Sequence, residues 1–470
     1  MPFVFFVIAA VLTVMLLRCA RFRPDRTPDP EPEEIPIEGE TAVEHLRQMI
    51  RCRTVSALEG RDEEEFERFR RLLPGLYPAV FSHCETERVG ETGLLIRWPG
   101  LGTGEPAVFL SHYDVVPADE DAWEHPPFDA FLEDGILWGR GALDMKNQLC
   151  CVLEAMEYLL GTGFTPERDI YFALSGEEEI MGPTAEMIRD LFRKRGITPA
   201  FVLDEGGDII DGFFPGADMR CAMVGVGEKG VANLRFVARG QGGHASIPQE
   251  DNPLERLCRA VTQLKPYRRR SCAALDRMVD TMGRYCNWKT RLLLANRDVL
   301  RPLYFRWLRK QGGILDASSR TTVVLTRARG SAAGNVIPTE AELFANVRML
   351  WGDTTRSVIE RFRREMGDPG IEIIESACAD PKPDSEMTEG WDIIGDAIRA
   401  TWPGTVVSPY LMVATTDSRH WRDICPNVYR FSAKTVTGAE KATVHGNNEH
   451  IRVENTIRGT QFFVRLMRRC

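Results

Sequence analysis

Imidazoles and carboxylates occur in this chain in short polar clusters that follow apolar runs. His112 and Asp114 stand two apart in LSHYDVVP, and Asp144 follows a Gly-containing turn in WGRGALDMK. Glu177, Glu178 and Glu179 are adjacent in SGEEEIMG, Asp204 and Glu205 are adjacent in VLDEGG, and His445 lies in VHGNNE. Singly, each has an ordinary structural explanation. A lone His-x-Asp is usually a satisfied structural histidine, Asp144 and Asp204 would serve as helix caps, and three adjacent acids usually mark a solvated loop. Jointly they are the donor set expected for paired Zn²⁺ or a similar divalent ion. Residues two apart on a strand face the same side, so Asp114 would orient His112 for metal binding. Two cations sharing a carboxylate activate water and polarise a carbonyl, and a carboxylate outside the coordination shell must take the proton.

Such convergence needs a scaffold that brings strand ends together. From about residue 41 to 228, apolar runs alternate with helical patterns, which predicts an α/β sheet. Val108–Leu110, Ile170–Leu174 and Phe201–Leu203 are expected strands, and each is followed at once by a polar cluster. In open α/β sheets, chemistry gathers beyond the carboxyl ends of strands. A helix is expected from about Asp144 through Tyr158, and an earlier one with a capping box of Thr41 and Glu44. After Glu228, Val231–Ala238 and Glu342–Leu350 alternate as half-buried strands do, and Thr354–Met366 reads as a helix. Residues 229–379 thus look like an α+β domain inserted into a catalytic domain made of 41–228 and 380–470. The Arg- and Leu-rich, largely helical stretch 265–320 falls inside that insertion.

Residues 1–23 begin with an uncharged apolar run, Pro2 to Leu17, followed by Arg18, Arg21 and Arg23. The expected role is a membrane anchor, with a cleaved secretory signal as the alternative. Arginines on the C-terminal side favour a cytoplasmic body. Residues 24–40, rich in Pro and Glu, predict an extended linker. Twelve cysteines without CxxC spacing suggest free thiols in a reducing compartment. A net charge of -9, with only short basic clusters at Arg193–Arg195 and Arg268–Arg270, argues against nucleic acid as a partner.

Six motifs in order, SHYDVVP, WGRGALDMK, SGEEEIMG, VLDEGG, GQGGHASIP and VHGNNE, resemble those of peptidase family M20. This zinc metallopeptidase family includes aminoacylase-1, carboxypeptidase S and glutamate carboxypeptidase, and the similarity is nearest the carboxypeptidase S and N-fatty-acyl amino acid hydrolase branch. It covers the chain from about Thr41 onward. The resemblance implies an α/β catalytic domain with a mixed sheet flanked by helices, plus an inserted α+β lid or dimerisation domain. It implies two Zn²⁺, with Co²⁺ or Mn²⁺ as substitutes: one held by His112, Asp144 and Asp204, the other by Asp144, Glu179 and His445. Glu178 would be the general base, with Glu177 the alternative register, and Asp114 the acid beside His112. His244 would stabilise the oxyanion, in dimeric relatives from across the subunit boundary. Asn335 and Arg348 resemble substrate-facing lid residues, and Arg419 competes with Arg348 for a substrate carboxylate. The implied activity is hydrolysis of N-acyl amino acids or short peptides with a free C-terminal carboxylate. The rivals are a dipeptidase or deacetylase of the same fold, or an inactive membrane-anchored binding protein, which would have lost a ligand or the base. The long lid insertion leaves open a homodimer through the lid or a monomer.

Overall fold

In the computed structural model, which describes residues 2–24, 29–31, 33–57 and 60–470, the three expected strands are neighbours in one sheet. They run Ala107–His112, Ile170–Ser175 and Phe201–Asp211, and Ala107–His112 pairs in parallel with both others. Across the eight-stranded mixed sheet the order is Glu85–Val89, Gly93–Trp98, Ile170–Ser175, Ala107–His112, Phe201–Asp211, Val428–Thr435, Arg220–Glu228 and Val406–Met412. Every residue of Ala107–His112 and Ile170–Ser175 is buried, because both faces are covered. Phe109, Phe172 and Leu203 share a core with Leu153 and Met156 of the helix Lys146–Gly161 and with Phe463 of the helix Val453–Met467. Val108, Leu110 and Ala173 instead meet Ile188, Phe192 and Trp421 on the other face. The two covering helices lie unusually close. A Cβ on Gly459 would fall 2.7 Å from Cys151 Sγ and 3.0 Å from the Ala433 carbonyl oxygen.

Two local expectations are corrected. The first helix of the body is Gly39–Ile50 and starts before Thr41, so no capping box forms; the Thr41 hydroxyl donates to the Glu38 carboxylate instead. The cause lies upstream. Ile35 is buried in the main core, its carbonyl accepts from Gln461, and Glu33 pairs with Arg468. The described part of the Pro/Glu-rich segment up to Glu38 therefore forms neither helix nor strand and is held on the body, and its last two residues open the helix; residues 25–28 and 32 of it lie outside the described residues. All twelve cysteines are free thiols.

The chain leaves the first sheet through Lys229 into a second, antiparallel one. Its order is Thr322–Arg329, Glu340–Met349, Gly230–Arg239 and Ile371–Ala379. The helices Pro253–Val261 and Thr355–Met366 share one core with it around Phe236, Leu343 and Phe362. The helices of the long insertion do not join that core, although Tyr267 ahead of them packs against it. In the insertion's helices Ala273–Met282, Trp288–Ala295 and Arg301–Gln311, the residues Leu275, Met282, Leu294 and Tyr304 cluster with Phe214, Met223 and Tyr410 on the side of the large sheet. It thereby covers Val406–Met412, the last strand of the large sheet, whose edge would otherwise be open. The apolar N-terminal helix Pro2–Arg21 packs against Trp288–Ala295 of the same insertion.

Candidate functional site

The polar clusters converge at the carboxyl ends of the three parallel strands. His112 ends its strand, and its Nδ1 donates to the Asp114 carbonyl at 3.0 Å. That leaves Nε2 facing Asp144 Oδ1 at 3.2 Å and Glu205 Oε1 at 3.4 Å. A second group forms around the other oxygen of the same aspartate. His445 Nε2 lies 3.1 Å from Asp144 Oδ2 and 3.1 Å from Glu179 Oε1. Within each group, His112–Asp144–Glu205 and Asp144–Glu179–His445, the donor atoms lie within 4.8 Å of one another. Asp144 belongs to both.

Asp204 is a correction. The expected first group contained it, but its carboxylate accepts from the backbone N–H of Glu205 and of Ser418, each at 2.8 Å. The strand alternates sides at this point, so of two adjacent acids only Glu205 turns toward His112. The pair was visible in the sequence; which member faced the site depended on strand direction.

The acidic triplet separates into three environments. Glu177 accepts from Arg61 at 2.6 Å and from the Thr184 hydroxyl. Glu179 joins the second group. Glu178 lines the cavity beside both groups, and burial, with Asp417 and Glu205 nearby, raises its carboxyl well above the ordinary range. Asp114 sets the position of this loop. Its two oxygens accept the backbone N–H of Glu178 at 3.2 Å and of Glu179 at 3.1 Å.

One acid that sequence reasoning passed over organises the shared aspartate. Glu449, the last residue of VHGNNE, is fully buried. It accepts the N–H groups of Gly141, Leu143 and Asp144 at 3.1, 2.7 and 3.1 Å, and Arg140 at 2.7 Å. The only hint was its place in a motif already singled out for His445. Lys434, donating to the Leu143 carbonyl at 2.9 Å, holds the same turn from the other side.

The electrostatics suit cations. Burial and Asp144 push Glu205 up to about 8, and hydrogen bonds to Asp144 and Glu179 raise His445 to about 10. Burial opposes ionisation of Asp144, yet His112 and His445 hold its carboxyl well below the usual range. Acids that draw positive charge onto both histidines form a site whose electrostatic demand divalent cations would meet, and mixed imidazole–carboxylate donors fit Zn²⁺, Co²⁺ or Mn²⁺.

The cavity measures about 430 Å³. Besides Asp144, Glu178, Glu179, Glu205 and His445, its wall includes Ile210, Phe213, Met223, Ile314, Tyr410 and Met412. Arg348 reaches toward this region from the second sheet. Its Nη1 donates to Thr415 Oγ1 at 3.2 Å, Glu178 and Glu228 lie near enough to act on its charge, and Thr415 lines the cavity. Arg419 is buried and donates to the Thr416 carbonyl at 2.8 Å beside Asp417, so its guanidinium is engaged within its own turn. His244 and Asn335 are not brought to the cavity. Both are exposed at the small two-stranded sheet of Gly243–His244 and Val336–Ile337, where Ala245 N donates to the Asn335 carbonyl and Ser246 binds His244 Nδ1. A larger, open hollow of about 860 Å³ lies at the opposite edge of the sheet; there Arg97 pairs with Glu85 and Asp169.

Residues 108–469 match the model of Peptidase family M20/M25/M40. The chain is 32% identical to "Probable carboxypeptidase S-like 2" of Dictyostelium discoideum, covering 86% of this chain and 80% of that one. It is also 32% identical to "N-fatty-acyl-amino acid synthase/hydrolase PM20D1.1" of Danio rerio, covering 92% and 86%. Among solved structures it resembles an M20 family metallo-carboxypeptidase, Sso-CP2 from Sulfolobus solfataricus. The TM-score is 0.68 at 16% identity, with 91% and 98% covered.

Proposed function

Since the chain belongs to peptidase family M20/M25/M40 and is a hydrolytic enzyme of that family, we propose that it hydrolyses the amide bond of N-acyl amino acids that carry an apolar acyl chain and a free carboxylate. The observation that carries this reading is the composition of the cavity. Phe213, Met223, Ile314, Tyr410 and Met412 continue directly from the acids and His445. A dipeptide does not need so much apolar wall. The two relatives' names divide between a carboxypeptidase and a fatty-acyl amino acid hydrolase, and the wall favours the second.

In this reading His112, Asp144 and Glu205 hold one divalent ion, and Asp144, Glu179 and His445 the other. Zn²⁺ is the first candidate. Bound there, the ions supply Lewis acidity toward the scissile carbonyl. Glu178 takes the proton from the attacking water and returns it to the leaving amine; burial, which raises its carboxyl above the ordinary range, favours its taking up that proton. Asp114 keeps the Glu178 and Glu179 loop in register through two backbone hydrogen bonds. Arg348 receives the substrate carboxylate, because Arg419 is already engaged with its own turn. His244 and Asn335 act from a second copy of the chain. The edge strand Thr322–Arg329, with Val324 and Leu325 exposed, leaves a ladder open for a homodimer through the lid. Sedimentation that finds only monomer at working concentrations removes this part.

The N-terminal helix serves as an anchor. Phe3–Arg21 is long and apolar enough to cross a bilayer, and its last turns are joined to the body, which a cleaved signal would not be. The flanking arginines favour a cytoplasmic body. Digestion of the catalytic body by protease added outside intact cells would refute that side.

The substrate reading is tested by kcat/KM on an N-acyl amino acid series of increasing chain length. Each methylene that enters the apolar wall contributes about 0.8 kcal/mol, or roughly fourfold, until the cavity is filled. A flat series, with dipeptides cleaved as well as long acyl substrates, returns the enzyme to the dipeptidase class.

A further inference from the structure

The N-terminal helix does not leave the body as a loose tether. Met15, Cys19 and Phe22 recur at helical spacing and form its docked face. Asn296 Nδ2 donates to the Met15 carbonyl at 3.1 Å, and Arg18 makes two 2.9 Å hydrogen bonds to Asp298. Phe22 enters the core of the helical insertion against Gly283, with the Arg284 guanidinium 5.5 Å from its ring centre. The other large apolar side chains from Phe3 to Leu17 are exposed.

The length of the helix then constrains its neighbours. Nineteen residues, Phe3–Arg21, span about 28 Å, close to the roughly 30 Å hydrocarbon thickness of a bilayer. If its exposed apolar part is immersed as far as Leu17, the elements bonded to Arg18, Cys19 and Phe22 beyond it are carried to the headgroup level. Those elements are suited to it. Trp288, Val299 and Leu303 are 61%, 55% and 55% exposed on the receiving helices and their connection. Between residues 284 and 310 the sequence has eight Lys and Arg against one acid, in a chain whose net charge is -9. That acid, Asp298, is paired with Arg18 of the membrane helix itself. Lys289, Arg301, Arg306 and Lys310 are exposed. An indole and aliphatic side chains ringed by cations match the interface of an anionic membrane.

We infer that Trp288–Gln311 is a membrane-seating platform, which rests on an anionic phospholipid surface beside the N-terminal helix and fixes the attitude of the catalytic body on it. This rests on the reading of the N-terminal helix as an anchor. The cavity is tied to the platform, since Met223 and Tyr410 of its wall share one apolar cluster with Phe22, Leu294 and Tyr304.

The full-length chain is reconstituted into phosphatidylcholine vesicles with and without phosphatidylserine, using acyl chains with and without bromine, which quenches tryptophan on contact. Flotation with the vesicles after a high-salt wash reports the anchor; quenching reports the platform. The expected result is flotation in every case and bromolipid quenching that grows with phosphatidylserine. Trp288→Phe should remove most of that quenching, although eight of the nine tryptophans remain. Flotation with quenching unchanged in Trp288→Phe, or with none at all, overturns the platform and leaves the anchor standing. Failure to float overturns both. A detergent-solubilised dimer that Leu303→Glu converts to monomer would assign the surface to a second copy of the chain and also overturn the proposal.

Discussion

Of three adjacent acids, Glu177 is engaged by Arg61 and Glu179 by His445, which leaves Glu178 for the proposed proton transfer. Glu178→Gln keeps the side chain's size and removes its basicity. We expect kcat to fall by about 10²- to 10⁴-fold while metal content, measured by elemental analysis, stays at the wild-type level; near-normal turnover in a pure preparation would dismiss the role. The neighbouring acids Asp204 and Glu205 make a sharper pair. Glu205→Gln should lose one equivalent of metal. Asp204→Asn should keep both and show its effect as lower thermal stability, since it loosens two backbone hydrogen bonds to a buried carboxylate. The reverse pattern restores Asp204 as the ligand. Although only His112 and the triplet come directly at strand ends, the two histidines, the shared aspartate and the acidic triplet were legible in the sequence because each stands in one of the ordered motifs that resemble the family's. The choice between Asp204 and Glu205 was not, because a one-residue step along a strand reverses the face and leaves composition unchanged.

Strands and turns govern how firmly those side chains are held. The turn Arg140–Asp144 carries the shared aspartate, and Glu449 accepts three of its backbone N–H groups from a segment more than 300 residues away in sequence. Groups that orient a ligand typically change metal affinity by about 10- to 100-fold when removed. Glu449→Gln should therefore raise the metal dissociation constant by that factor, with the fold intact by circular dichroism. Unchanged affinity would mean the turn holds its shape without the carboxylate. Strand identity followed directly from apolar runs, and all three site strands form. Helix starts were less legible. Thr41 looked like a cap, but tertiary contacts of Ile35 start that helix earlier, and a local hydrogen-bonding signal worth about 1 kcal/mol yields to a buried side chain worth more.

Across the molecule, the catalytic body carries a buried cost that pH reveals. His420 sits near Arg419 and Arg189, and burial, reinforced by those cations, lowers its pKa to about 3. The unfolded chain takes up that proton near pH 6.5 and the folded chain refuses it. The stability associated with neutral His420 is thus complete above pH 6.5 and is lost as pH falls toward 3, at up to about 1.4 kcal/mol per unit. His420→Gln should flatten the decline of Tm between pH 6.5 and 4 relative to wild type, in metal-loaded protein. Parallel curves would show that other groups govern acid unfolding.

Residue types, their spacing and the resemblance of six ordered motifs together identified a metal-assisted hydrolase on an α/β scaffold with an inserted second sheet. Those features follow from local periodicity and from side-chain chemistry that few other residues can supply. Tertiary structure alone decided which of two adjacent acids faces His112, and how Arg61 and His445 engage the two glutamates on either side of Glu178. It also decided that His244 and Asn335 lie away from the cavity, and that the helical insertion serves the large sheet and the N-terminal helix instead of the lid. Each of these depends on which surfaces meet, and contact between residues hundreds of positions apart leaves no periodic trace in either segment.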